Sequence, residues 1–256
     1  MLIEYPLTKA NRIQLARAFR QVPRVDLSIA CVLEAQMGRA FVDDLEHPSV
    51  FKIQAGPFVY LAGDTACPAG QELLQCLTSD ILLMPSAPGW IEAAQAMYGE
   101  KLVPFDRYSF DSKGLSMERL TDLGQVSPYS ARIQGMDEPF VESMWGQESF
   151  IDLSTYDSAG DFVQRGVGFY VVESGTLAGA AYASLACSRG IEVSLFVEPE
   201  YRRRGMATAL AGRLLLWCLE NGLAPHWDAA NPESCQLAMK LGYKPLGSYL
   251  AYYLKE

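Results

Sequence analysis

Near the N-terminus, Ile13, Ala16 and Phe19 fall at helical spacing within 9–20, and Leu27, Ala30 and Leu33 do so within 26–42. Two opening helices are predicted. Beyond Pro48 the pattern shortens: FVYLAGD (58–64) reads as a strand, QELLQCL (71–77) as a helix, DILLMP (80–85) as a buried strand, and WIEAAQAMYG (90–99) as a helix ended by Gly99. KLVPFDRYSF then runs extended to a polar junction, DSKG at 111–114. This alternation predicts a smaller N-terminal α/β domain over 1–112 and a second domain over 113–256.

The stretch 115–165 is more polar and largely helical. From Gly166, GFYVVES, LAGAAYASLAC and IEVSLFV predict three antiparallel strands joined by turns at Gly175 and at Arg189-Gly190. Pro199 ends the ladder, and a helix follows from about 204 to 221 with Gly222 as its stop. LAPHWDA (223–229) reads as one further strand. Asn231 then caps a helix with Pro232 at its first position, Gly242 stops it, and YKPLGSYLAYYL supplies the closing strand or strands. No internal repeat is visible in the text.

Composition narrows the function. Half of the 256 residues are apolar and 20% are charged, which excludes intrinsic disorder. A net charge of −9 argues against nucleic acid or an anionic membrane as the main partner and favours a neutral or cationic small molecule. The cysteines at 31, 67, 76, 187, 218 and 235 form no C-x-x-C pair, and only His47 and His226 could join them, so no metal site is expected. Buried thiols in a reducing cytoplasm are the expectation. No signal peptide and no apolar run of about 20 residues is present, so a soluble cytoplasmic protein is expected, as a monomer or homodimer.

Two loops invite a phosphate reading. GDTACPAG (63–70) joins a strand to a helix but lacks the Gly-Lys-Ser/Thr ending of a P-loop and any G-x-G-x-x-G, so it is read as a turn. The second loop, Arg202-Arg203-Arg204-Gly205-Met206-Ala207, opens the long helix. Gly205 and Ala207 allow close backbone approach, first-turn amides lie at the positive end of the helix dipole, and three arginines add charge where a pyrophosphate needs neutralising. A solvated, charged helix start would look similar. The order of elements decides between them: strand meander, R-x-x-G-x-A helix, strand, short Asn-capped helix ending in L-G-Y.

In that order and in these motifs the chain resembles the GCN5-related N-acetyltransferase superfamily. It is most similar to bacterial members with an extra N-terminal domain, of the zwittermicin-resistance type, through Glu192–Gly205, Pro225–Ser234 and Leu237–Tyr243. The resemblance implies an α/β (α+β) chain whose C-terminal domain has the acyl-CoA N-acyltransferase fold, with a mixed, splayed sheet. It implies acetyl-CoA as acyl donor, no metal, and transfer of the acetyl group to a primary amine of a small molecule. Strands 191–197 and 223–229 would part, so that Leu195, Phe196 and Val197 pair with pantetheine. The segment Arg202, Arg203, Arg204, Gly205, Met206, Ala207 and Thr208 would hold the pyrophosphate, and Asn231 and Ser234 would touch the pantetheine arm.

Catalysis needs a neutral amine, a stabilised oxyanion and a leaving thiolate. Glu192, thirteen residues before Gly205, is the expected general base, and a backbone N–H at a strand bulge near Phe196 the expected oxyanion donor. Many relatives place a tyrosine acid seven positions after the helix Asn, but Ala238 stands there. Leaving an unprotonated thiol of pKa about 8.5 costs roughly 2 kcal/mol, so water suffices, with Tyr243, Tyr249, Tyr252 and Tyr253 as substitutes better read as packing residues. His226 and Asp228, alternate on the predicted strand, are read as a structural pair. Trp145, Glu148 and Asp152 offer an acceptor wall for a cationic amine, although a solvated helix face is the plainer account. A non-catalytic acyl-CoA sensor is the main rival, and RNA binding through Arg202–Arg204 conflicts with the acidic surroundings.

Overall fold

The computed structural model describes residues 2–146 and 151–255. The chain divides into two compact units, Met1–Arg107 with Ser248–Glu256, and Tyr108–Gly247. In the first, β1 (Ile3–Glu4), α1 (Lys9–Ala18), α2 (Ser28–Leu33), β2 (Arg39–Val42), β3 (Val50–Ala55) and β4 (Phe58–Gly63) are followed by α3 (Pro68–Gln75), β5 (Leu82–Leu83), α4 (Trp90–Tyr98) and the start of β6 (Leu102–Asp111), whose residues from Tyr108 on belong to the second. The helix expected over 26–42 is only six residues long. Ala35 (φ 55°) and Gly38 (φ 78°) turn the chain into β2, because a Cβ on Gly38 would collide with the Gln54 carbonyl at 2.8 Å. Strand β3, which the sequence reading missed, pairs with β2 and β4 in an antiparallel ladder.

The second half opens with α5 (Met117–Gln125), β7 (Gln134–Gly135), α6 (Glu138–Met144) and α7 (Ala159–Arg165). The meander β8 (Gly168–Glu173), β9 (Thr176–Cys187) and β10 (Gly190–Val197) leads into α8 (Met206–Glu220), and then come β11 (Pro225–His226), β12 (Asp228–Ala229), α9 (Pro232–Leu241) and β13 (Lys244–Leu254). The strand expected over 223–229 is therefore two short ones in different sheets. β11 runs parallel to β10, and after Trp227 the chain turns so that β12 runs antiparallel to the end of β6, at Tyr108 and Ser109.

A repeat hidden in the text is plain in the topology. From β1 to β6 the order is strand, two helices, three strands, helix, strand, helix, strand, and from β7 to β13 the same order recurs with its third-from-last element broken into β11 and β12. Both copies place a meander before a helix and return a parallel strand, β5 against β4 and β11 against β10. The periodicities of burial specify this order without shared residues, which is why no repeat is legible as sequence.

The copies differ where it matters. In the first unit the β4–β5 ladder stays closed: Met84 donates to the Val59 carbonyl at 2.9 Å, Ala87 to the Leu61 carbonyl at 2.9 Å, and Ser86 Oγ accepts from the Leu61 amide at 3.0 Å. Val59 to Ala62 are all buried. The 63–70 loop is a tight turn: Cys67 Sγ accepts from the Gly70 amide and Asp64 Oδ1 from the Ala66 amide, so α3 begins capped by its own chain.

Candidate active site

In the second unit the matching ladder opens. β10 pairs with β11 only through Ile191 with Pro225 and Glu192 with His226. Glycine at 190 (φ 129°) permits that approach, since a Cβ there would sit 1.8 Å from the Ala224 carbonyl oxygen. Tyr243, buried, fixes the start of β11 by donating from its hydroxyl to the Pro225 carbonyl at 3.1 Å. Past this point Val193 to Phe196 become half-exposed, while Gly190 to Glu192 are buried. A slot flanks β10 where β11 ends.

The slot leads toward the turn before α8. Arg202 Nε donates to the Val197 carbonyl at 2.9 Å and folds the turn back on the strand. Arg203 (φ 61°) and Gly205 (φ 88°) are both left-handed, and an arginine in that region is held there at a cost of about 1–2 kcal/mol. No side chain caps α8, in contrast to α9, where Asn231 Oδ1 accepts from the Ser234 amide at 2.8 Å. The first-turn amides of α8 are thus presented to an anion. Met206 and Leu210 can seat α8 closely on β9 because Gly179 has no side chain, a Cβ there lying 3.1 Å from the Met206 sulfur.

Two residues that the sequence reading passed over, Lys240 and Ser127, border this end of α8. Lys240 Nζ donates to Thr208 Oγ1 at 3.1 Å. Ser127, after α5, is the nearest neighbour of the place a Gly205 Cβ would occupy, at 3.8 Å. Arg119 binds the Met239 and Lys240 carbonyls and holds α5 to the end of α9. Cations beside a helix N-terminus are unfavourable unless an anion lies between them and the dipole, so Lys240 and the exposed Arg203 and Arg204 favour the same occupant. Only contact across α5, α8 and α9 gathers these side chains, and no spacing in the sequence signals it.

The expected site residues fare differently. Glu192 is only 5% exposed, so it is no solvated edge residue. The irregularity in the β9–β10 ladder lies between Glu192 and Val193, opposite Ser184, and the register is unbroken from Val193 to Val197. The bulge expected near Phe196 is therefore displaced toward Glu192, and Phe196 sits in a regular ladder opposite Ala180. Ser234 Oγ accepts from the buried Trp227 indole at 3.1 Å, which orients it at the start of α9. Ala238 is fully buried with Leu120, Ala211 and Leu215, so the tyrosine common in relatives would have to displace the core.

Tyr243 is a poor substitute acid, because burial pushes its phenol up. Tyr249, Tyr252 and Tyr253 belong to the first unit. His226 and Asp228 lie on strands of different sheets, so the alternation argument for a pair does not hold. Burial draws the His226 imidazole below its ordinary value, with a hydrogen bond to the Arg189 backbone opposing and the Arg189 charge reinforcing. Trp145 caps the end of α6 and Asp152 is exposed, while Glu148 lies outside the described residues. Among the described residues no group of three His, Cys, Asp or Glu is placed to hold a metal, and no helix is long and apolar enough to cross a membrane. Among the described residues no disulfide joins the six cysteines; Cys31 and Cys218 are buried as expected, whereas Cys67, Cys187 and Cys235 are half-buried and Cys76 is exposed.

The GNAT acetyltransferase family model matches residues 19–252. The chain belongs to this family. It is an N-acetyltransferase with a mixed α/β fold. It is 26% identical over 226 residues to the uncharacterized N-acetyltransferase YdfB of Bacillus subtilis (strain 168), covering 84% of this chain and 85% of that one. A GCN5-related N-acetyltransferase-like protein from Streptococcus suis 89/1591 superposes with a TM-score of 0.83 at 28% identity, over 97% of this chain and 100% of its own. A tandem GNAT protein from the clavulanic acid biosynthesis pathway shares the fold at 14% identity and a TM-score of 0.53, over 98% of this chain and 97% of that one.

Proposed function

We propose that this N-acetyltransferase takes its acetyl group from acetyl-CoA and passes it to a primary amine of a small molecule by direct attack on the thioester. The observation that carries the reading is the slot: β10 loses its parallel partner after Glu192 and His226, and the strand beyond leads to an uncapped helix start. Pantetheine amides would continue the ladder along Leu195, Phe196 and Val197, acting as the missing strand. The pyrophosphate would lie on the turn from Arg202 through Thr208, with Asn231 and Ser234 beside the pantetheine arm. Acetyl-CoA, when bound, supplies the thioester.

Glu192 stands where the ladder opens and would take the proton of the attacking amine, directly or through one water. No side-chain acid is needed for a thiol of pKa about 8.5. Calorimetric titration with coenzyme A and a thiol-release screen of amines, amino alcohols and peptide N-termini test the reading together. Coenzyme A binding, amine-dependent thiol release, and retained binding with lost turnover in Glu192→Gln are expected. A folded protein that binds no coenzyme A refutes it.

A further inference from the structure

The strand that pairs with the Glu192 strand is short of side chains able to fix its register. Along the middle of β9, Ala178, Gly179, Ala180, Ala181, Ala183 and Ala186 leave Tyr182 and Leu185 as the large residues, and small cross-strand pairs specify register weakly. Register matters on β10. Gly179 faces Met206 and Leu210 of α8 and pairs with Val197, and Val193 and Leu195 pack into the core on that helix side, so alternation turns Glu192 to the opposite face. A slip of one residue would turn its carboxylate toward the helix.

The ladder already carries one irregularity at this place. Glu192 pairs with Leu185 and Val193 with Ala183, which leaves Ser184 as an extra residue of β9. The β8 ladder ends close by, at the pair of Gly168 with Tyr182. From there a segment before α7 takes over as partner. The Asp152 amide donates to the Tyr182 hydroxyl at 2.8 Å, the Tyr156 hydroxyl to the Ala183 carbonyl at 2.9 Å, and Thr155 Oγ1 to the Ser184 carbonyl at 2.6 Å. The segment is itself anchored: Ile151, Leu153 and Tyr156 are buried, and the Tyr156 ring meets Phe162 of α7 edge to face at 5.0 Å.

The extra residue passes the hold on. Ser184 Oγ donates to the Glu192 carbonyl at 3.3 Å, so its carbonyl is tied to the strap and its hydroxyl to the main chain of Glu192. Both directions are fixed by chemistry, because each acceptor is a carbonyl and a carbonyl has no proton to give. Thr155, Ser184 and Glu192 thus form a chain that runs from an anchored segment, through the bulge, to the residue at which the β10–β11 ladder ends. Thr155 is half-buried, and its hydroxyl is the part of it that reaches β9.

We propose that Thr155 and Ser184 are positioning residues for Glu192: the strap pins the extra residue of β9, and that residue pins the Glu192 main chain, so that the carboxylate stays on the face away from α8 at the mouth of the slot. The inference rests on the reading of Glu192 as the general base. It gives the bulge a task in a strand whose own side chains leave the register loose. A general base is worth about 10²–10⁴-fold in rate and is sensitive to displacements of about 1 Å, so a loosened pin costs part of that factor and leaves the cofactor seat on α8 untouched.

The test combines steady-state thiol release from acetyl-CoA, with the best amine of the screen, coenzyme A titration and thermal unfolding. Thr155→Val keeps the shape of the side chain and removes the donor; it is expected to lose about tenfold in kcat, with KM for acetyl-CoA and coenzyme A affinity within about twofold of the parent. Thr155→Ser restores the donor and is expected to recover kcat to within about threefold. Ser184→Ala, which cuts the second link and keeps the first, is expected to lose about three- to tenfold. In the Glu192→Gln background, where no carboxylate is left to place, Thr155→Val is expected to cost less than about twofold further. Folded Thr155→Val and Ser184→Ala variants with kcat within twofold of the parent overturn the assignment, and so does a tenfold loss that persists in the Glu192→Gln background, which would mark a general packing effect. Undiminished turnover in Glu192→Gln alone is a separate result, which overturns the base reading beneath the proposal.

Discussion

Substitution of Gly205 separates the strain of the turn from access to the anion seat. Its φ of 88° is left-handed, yet a Cβ added there would meet only Ser127 Oγ, at 3.8 Å, an ordinary contact. Gly205→Ala therefore costs about 1–2 kcal/mol of backbone strain without a collision. That corresponds to a Tm lower by roughly 2–8 °C, with coenzyme A affinity held within about threefold because the following amides stay exposed. Gly205→Trp adds the same strain and also lays an indole across the first turn of α8. A charge-assisted amide–phosphate hydrogen bond contributes about 1.5–3 kcal/mol, so losing two of them weakens binding by about 3–6 kcal/mol, or roughly 10²–10⁴-fold. Calorimetric titration with coenzyme A, alongside thermal unfolding of each variant, reads both quantities. A folded Gly205→Trp that binds coenzyme A as tightly as the parent would refute the placement of the pyrophosphate. An Ala variant as weak as the Trp variant would show that turn geometry, and not access, controls binding.

Gly190→Ala is expected to lose about 3 kcal/mol or more in denaturant unfolding, because its φ of 129° is strained and its Cβ would lie 1.8 Å from the Ala224 oxygen, whereas Gly222→Ala (φ 69°, open space) should lose only about 1 kcal/mol; equal losses would contradict the close β10–β11 approach. For His226 the folded pKa lies below the unfolded value of about 6.5, so the unfolded chain binds the extra proton first. The stability owed to the neutral imidazole is complete above about pH 6.5 and is lost as pH falls through the folded pKa. Between pH 7.5 and 5.5 the parent should therefore lose more stability than His226→Gln, and equal losses would count against burial as the cause. Titration should give one coenzyme A per chain, since Ser86 and Ala87 close the first unit's slot and Cys67 and Asp64 cap its helix; a stoichiometry of two would contradict that closure.

The sequence alone determined what local rules govern. The meander from Gly168 to Val197, the long helix after Arg202–Gly205, and the Asn231–Pro232 start and Gly242 stop of α9 all appear close to where turn chemistry, capping and periodicity put them. The motif from Glu192 to Gly205 identified the family because its backbone demands, a left-handed glycine and small residues at a helix start, are written in residue type.

Only the tertiary structure decided the rest. Strand 223–229 breaks into two because its halves find different partners, Ile191 with Glu192 and Tyr108 with Ser109, and no local pattern encodes a choice between distant edges. The α2–β2 region reads as helix until the Gln54 backbone forces a turn at Gly38. Lys240 beside Thr208, and the Asp152 amide on the Tyr182 hydroxyl, join residues 30 or more positions apart. The repeat escaped the text for the same reason: an order of elements needs only matching burial periods, whereas whether a slot is open or zipped depends on which chain segment reaches the free edge of a strand.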